Sequence, residues 1–143
     1  MADVRKVADN FAVAPQIAHE DFAEIAAAGF KFIVNNRPDG EAHDQIASVD
    51  AQRAAEAVGL TYAYIPVVGA PNLSNVDALA EALSKIEGPT LAYCRSGTRS
   101  ITLWALTQAK MGALAPGQAV SAAETAGYDL HHLEPVLAKL ASA

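Results

Sequence analysis

Residues 90–100 run Thr90-Leu91-Ala92-Tyr93-Cys94-Arg95-Ser96-Gly97-Thr98-Arg99-Ser100, and this order of residue types decides the fold. An apolar, β-type run leads into a cysteine, the cysteine into a small polar turn, and the turn into residues that open a helix. A strand passing through a tight loop into a helix leaves the first helical N–H groups without backbone partners, and together they make a concave nest for an anion. Gly97 and Ser96 permit the turn, and Arg99 can reach back to an anion's oxygens with a bidentate fork. A thiolate in such a nest is itself an anion, so the spacing predicts an ionised, nucleophilic Cys94. Cys94 and Arg99 are therefore the candidate catalytic residues, and Arg95, Ser96, Gly97, Thr98 and Ser100 complete a candidate anion-binding loop.

Upstream of the loop, short β-type runs near Phe11–Ala14, Lys31–Asn35, Leu60–Pro66 and Thr90–Cys94 alternate with longer amphipathic stretches in which many of the 32 alanines act as helix-forming filler. Helices are expected at about His19–Ala28, Ser48–Val58 and from a cap at Ser74 or Asn75 to Ile86, with Gly29, Gly59 and Gly88 as stops. After Cys94 the β-type runs cease, and helices are expected at about Ser100–Met111, Pro116–Ala126 and Leu130–Leu140. With 143 residues there is length for one core, so residues 1–143 are expected to form a single three-layer α/β domain. Its short, mainly parallel sheet should have four strands flanked by helices, with a helical C-terminal third.

Ten Lys and Arg against sixteen Asp and Glu give a net charge of -6, and no basic run appears, which argues against nucleic acid as a partner. No apolar stretch approaches the roughly 20 residues of a membrane span, and the polar start from Met1 to Asn10 does not read as a signal peptide, so a cytoplasmic protein without membrane contact is expected. A single cysteine excludes an internal disulfide, a multi-cysteine zinc site and a Cys-x-x-Cys pair. His19 and His43 are isolated and His131 and His132 read as helix-start residues, so neither a metal nor another cofactor is expected. The charge is uneven, since no Asp or Glu occurs from Gly88 to Ala123 while Arg95, Arg99 and Lys110 do. The thiol thus sits in the one locally basic segment of an acidic chain.

The loop Cys94-Arg95-Ser96-Gly97-Thr98-Arg99 resembles the six-residue loop of rhodanese-type sulfurtransferases, whose cysteine carries a persulfide. It is also similar to the Cys-x5-Arg loop of protein tyrosine and dual-specificity phosphatases, although the arginine arrives one position early and Tyr93 stands where those enzymes have a histidine. A run of helices after the loop resembles the phosphatase fold. Taken with Val13-Ala14-Pro15-Gln16-Ile17, the stretch from Ala28 to Glu41, and Ile65-Pro66-Val67-Val68, the loop resembles a bacterial family, the phosphatase-like domain of beta-lactamase-hydrolase-like proteins. That resemblance spans about Phe11 to Lys110 and implies either sulfur-transfer or phosphatase chemistry.

Sites in such sheets form beyond the carboxyl ends of the parallel strands, which makes Asn36, Arg37, Asp39 and Asn72 candidates for a pocket rim. A phosphatase generally needs an acid for the leaving oxygen, yet Val67 to Leu73 contains none, leaving Asp39 or Asp77. The first expectation is accordingly a sulfurtransferase acting through a Cys94 persulfide on a small anionic substrate such as thiosulfate or a persulfide. With no second cysteine, that sulfur must pass to another molecule, and the sequence names no protein acceptor. The alternative is a phosphatase acting on a phosphate ester through a Cys94 phosphocysteine. A non-catalytic anion-binding module is the second alternative.

Overall fold

The computed structural model describes residues 2–142. Five strands, not the four expected, form one mixed sheet: β1 (Arg5–Ala8), β2 (Phe11–Ala14), β3 (Phe32–Asn35), β4 (Thr61–Tyr64) and β5 (Thr90–Tyr93), in the order β1-β2-β5-β3-β4. The extra strand β1 lies antiparallel on the edge beside β2, joined through the turn at Asp9 and Asn10, and every other pairing is parallel. Its Arg5 and Lys6 suit an edge, where charge deters pairing with another chain, and the same charges hide it from a search for apolar runs.

Six α-helices cover the sheet: α1 (Asp21–Ala27), α2 (Ser48–Ala57), α3 (Leu73–Lys85), α4 (Thr98–Met111), α5 (Pro116–Thr125) and α6 (Glu134–Ala141). Helix α3 starts earlier than expected because Asn72, rather than Ser74 or Asn75, caps it. The Asn72 carboxamide accepts the Asn75 N–H at 2.9 Å, and the Asn75 side chain accepts the Asn72 N–H at 3.0 Å. The expected last helix is instead a 3₁₀ turn at His131–Leu133 followed by α6.

The three layers follow from the alternation of side chains along the parallel strands. Ala12, Ala14, Ile33, Leu91 and Tyr93 face α1 and α2, where Phe22, Ile25, Ala51 and Ala55 meet them. Phe11, Val13, Phe32, Val34 and Ala92 face the other way, against Val76, Leu79, Ile101, Trp104, Val120 and Leu137 from α3 to α6. Trp104 is the largest fully buried side chain, with its ring stacked on Phe11 at a centroid distance of 6.1 Å. Register places Ala14, Tyr93, Asn35 and Tyr64 side by side, so the four parallel strands end together and deliver their following loops to one rim. No helix among the described residues is long and apolar enough to cross a membrane.

Trp104→Ala removes the side chain that joins α4 to β2. It is expected to cost about 3–5 kcal/mol in urea unfolding, the range for deleting a buried large aromatic; a loss within the error of the measurement would contradict the packing described.

Candidate functional site

Cys94 follows directly on β5 and is buried, 1% exposed. The chain turns at Ser96 and Gly97, with Gly97 in the left-handed region at φ 91° as the residue that precedes α4. Helix α4 begins at Thr98, two residues before the expected Ser100, and the Gly97 N–H just ahead of it donates to Cys94 Sγ at 3.1 Å. Ser96 Oγ accepts the Thr98 N–H at 3.3 Å, and the Ser96 and Thr98 hydroxyls bond to each other at 3.0 Å. One amide of the loop, the Gly97 N–H, thus points at the sulfur, while the Thr98 N–H is taken by Ser96 Oγ.

Behind the loop, Asn36 is buried rather than on the rim. Its carboxamide donates to Ile65 O at 2.9 Å and accepts from the Ser100 hydroxyl at 2.8 Å, tying the start of α4 to the loops after β3 and β4. Three further rim candidates are engaged in similar ways. Asp39 accepts the Ser48 N–H at 2.8 Å and so caps α2, while Asn72 caps α3. Asp77, the other acid considered for proton donation, pairs with Lys110 at 2.7 Å across α3 and α4. Arg37 is only 5% exposed and donates through Nη1 to Gln16 Oε1 and through Nε to Glu41 Oε1, each at 3.0 Å. Asn36 and Arg37 are buried and their polar groups are satisfied within the protein, whereas Asp39 and Asn72 are exposed and cap helices.

The acid that does reach the site is Glu41, which the sequence reading did not single out. Arg99 donates to it from Nη1 at 2.7 Å and from Nη2 at 2.8 Å, and from Nη1 also to Val67 O at 2.9 Å. Of the five guanidinium N–H groups these bonds use three. They leave Nε–H and the second Nη2 hydrogen, the side-on fork that fits two oxygens of a tetrahedral anion. Glu41 thereby bridges Arg37 and Arg99. The spacing of Arg37 and Glu41, four residues apart in an irregular loop, was the only local sign of it. Beside the loop a cavity of about 660 Å³ is lined by Gln16, His19, Arg37, Glu41, Gln45 and Arg95.

From the other side, the Tyr128 hydroxyl donates to Ser96 O at 2.9 Å. A Cβ on Gly97 would run into that hydroxyl, so both its positive φ and its contact require glycine at this position. Among the described residues, no group of three or more His, Cys, Asp or Glu side chains gathers to hold a metal.

Electrostatically the pair of arginines holds the Glu41 carboxyl at about 2 instead of its usual 4.5. The Arg99 hydrogen bond is the largest cause, burial opposes it, and the Arg37 bond adds to it. Reciprocally, the Arg99 guanidinium is raised first by Glu41, against the cost of burial, with Cys94 adding to the rise. Tyr93, which faces α1 and α2, has its phenol pushed up chiefly by burial, and its hydroxyl finds no hydrogen-bond partner among the described residues.

A carboxyl depressed in the folded protein contributes stability that is complete above its unfolded value and is lost as pH falls toward its folded one. The thermal stability of the wild type relative to Glu41→Gln should therefore be constant above pH 4.5, and the difference should shrink as pH falls to about 2. A difference independent of pH over that interval would remove the Glu41 bridge from the account.

Comparison with known proteins agrees with this fold. Residues 3–111 match the family described as beta-lactamase hydrolase-like protein, phosphatase-like domain. The beta-lactamase hydrolase-like protein of Agrobacterium fabrum (strain C58) is 35% identical over 127 residues, covering 87% of this chain but 29% of that protein. The chain thus spans under a third of that curated relative. A protein of Neisseria meningitidis z2491, provisionally called a phosphatase, superposes with a TM-score of 0.82 at 29% identity over 95% of this chain and 96% of its own. A kinase-associated phosphatase, at 16% identity, shares the fold alone, with a TM-score of 0.74 over 100% of this chain and 97% of its own. With a five-stranded tyrosine-phosphatase-like fold and the match over residues 3–111, the chain belongs to the family of phosphatase-like domains of beta-lactamase hydrolase-like proteins.

Proposed function

We propose that this domain is a cysteine-dependent phosphatase that hydrolyses small phosphate esters with good leaving groups. The observation that carries the proposal is the pairing of a buried sulfur receiving the Gly97 N–H with an arginine whose side-on fork is left available by Glu41 and Val67. In the first step Cys94 Sγ attacks phosphorus, the bond to the leaving oxygen breaks with its electron pair, and a phosphocysteine forms. Arg99 and the amides at the head of α4 hold the phosphoryl oxygens as charge shifts onto them. Water then attacks phosphorus, the P–S bond breaks, and phosphate and a proton leave while the thiolate returns.

The preference for good leaving groups follows from the acids. Glu41 is ionised at neutral pH and locked between two arginines, and Asp39 and Asp77 are committed elsewhere. An aryl oxide can depart without a proton, whereas an alkoxide cannot. The match to phosphatase-like domains and to phosphatase folds favours this reading over sulfur transfer.

One observation keeps sulfur transfer as a second reading. The arginine comes one residue earlier than in the phosphatase loop, and sulfane-sulfur chemistry needs no acid. There Cys94 would attack the outer sulfur of thiosulfate, the S–S bond would break with sulfite taking the electron pair, and the persulfide would pass to an acceptor thiol. A free, working thiol suits a reducing compartment, which supports a cytoplasmic setting.

Turnover of an aryl phosphate is expected, with alkyl phosphates far slower. Cys94→Ser should abolish it and Arg99→Lys should lower kcat by about 10²–10³, as for loss of a donor to a transition-state oxyanion. No turnover from mildly acidic to mildly alkaline pH, combined with a gain of one sulfur in the intact mass after thiosulfate, would replace this reading by the second. Neither signal, with a tetrahedral anion still bound, would leave an anion-binding module.

A further inference from the structure

Tyr128 lies beyond the family-matched residues 3–111, in the turn between α5 and the 3₁₀ segment, and no catalytic step above uses it. Its hydroxyl holds Ser96 O at 2.9 Å. That oxygen and the Gly97 N–H belong to one peptide unit, and the described residues contain no cis peptide bond. In a planar trans peptide, C=O and N–H point in opposite directions. A donor that fixes Ser96 O outward therefore fixes the Gly97 N–H inward, where it meets Cys94 Sγ at 3.1 Å. Drawing electron density toward the carbonyl oxygen also makes the N–H a stronger donor.

From this geometry we infer that Tyr128 is a positioning residue: its hydroxyl aims the Ser96–Gly97 peptide so that the Gly97 N–H stabilises the Cys94 thiolate.

The surroundings keep Tyr128 in place for that task. The Arg5 guanidinium of β1 sits 5.2 Å from the centre of the Tyr128 ring, donates to Ala126 O at 3.3 Å and is paired with Asp3 at 3.1 Å. A Cβ on Gly127 would come within 2.6 Å of Arg5 Nη1, so the turn carrying Tyr128 packs directly on the edge strand. The phenol is held above its usual range, first by partial burial, with Arg5 opposing and Cys94 adding, so the hydroxyl keeps its proton and remains a donor. Left-handed Gly97 leaves the hydroxyl the room that any side chain would occupy.

The inference rests on the reading of Cys94 as a reactive thiolate, but its test needs no substrate. Alkylation of Cys94 by iodoacetamide is followed as a function of pH in the wild type, in Tyr128→Phe and in a free cysteine peptide. The quantity read is the rate near neutral pH relative to the plateau in strong alkali, where every thiol is ionised. Phenylalanine keeps the ring under Arg5 and removes only the hydroxyl. The ratio is expected to fall roughly three- to tenfold in Tyr128→Phe, as for weakening one hydrogen bond to a charged group. A role in packing alone would lower the melting temperature and leave the ratio unchanged, and that result would overturn the inference while leaving the phosphatase reading intact. A wild-type ratio equal to that of the peptide would overturn both. A lowered ratio in Tyr128→Phe, in a protein that turns over no phosphate ester, would keep the inference and remove only the phosphatase.

Discussion

Asn36 is the residue on which the architecture of the site depends. It makes four hydrogen bonds, which reach three pieces of the structure: β5, the segment after β4 and α4. Its N–H donates to Tyr93 O at 2.8 Å, its own carbonyl accepts the Val67 N–H at 2.9 Å, and its carboxamide joins Ile65 O and the Ser100 hydroxyl. The loops after β3, β4 and β5 and the head of α4 are thus tied at one buried point. A polar side chain in that position is costly unless every group is satisfied, and here the satisfaction is what sets the geometry. Leu or Val could fill the volume but could not specify how α4 begins relative to the strand ends, and the direction of its first N–H groups would be lost.

The charges are arranged on top of that frame. The chain carries a net charge of -6, yet it fixes the Arg99 cation beside a sulfur. The solution is long-range. Glu41 arrives from the loop after β3, fifty-eight residues before Arg99, and immobilises the guanidinium with two bonds while Val67 O takes a third. A free surface arginine would lose side-chain entropy on meeting an anion, whereas this one has lost it on folding. Its fork is preorganised, which is the condition under which electrostatic stabilisation of a transition state is most effective.

What could be read from the sequence follows the same division between local and distant. The alternation of short apolar runs with helical stretches is local, and it disclosed the mainly parallel sheet and the helical C-terminal third. Strand β1 stayed hidden because an edge strand with Arg5 and Lys6 lacks the apolar run that marks a buried one, although it is as long as the others. Asn36, Arg37 and Asp39 lie in the loop directly after β3, and Asn72 caps α3. Asn36, expected at the rim, is buried, since residue type alone does not say whether a polar group faces a ligand or completes the backbone beneath it. Glu41 and Tyr128 act through contacts that span 58 and 32 residues, and neither leaves a local pattern.

The short loop itself accounts for much of the rest. One residue fewer between cysteine and arginine starts α4 at Thr98 and brings Arg99 into its first turn. The guanidinium then lies close enough to Glu41 and Val67 O to be held by both, and Gly97 must take a left-handed conformation to close the ring. A tighter ring has fewer amides to offer an anion, so the direction of each matters more. In that setting the tyrosine whose hydroxyl holds Ser96 O from outside, and the edge strand that packs on its ring, bear on the geometry of the loop although neither lies inside it.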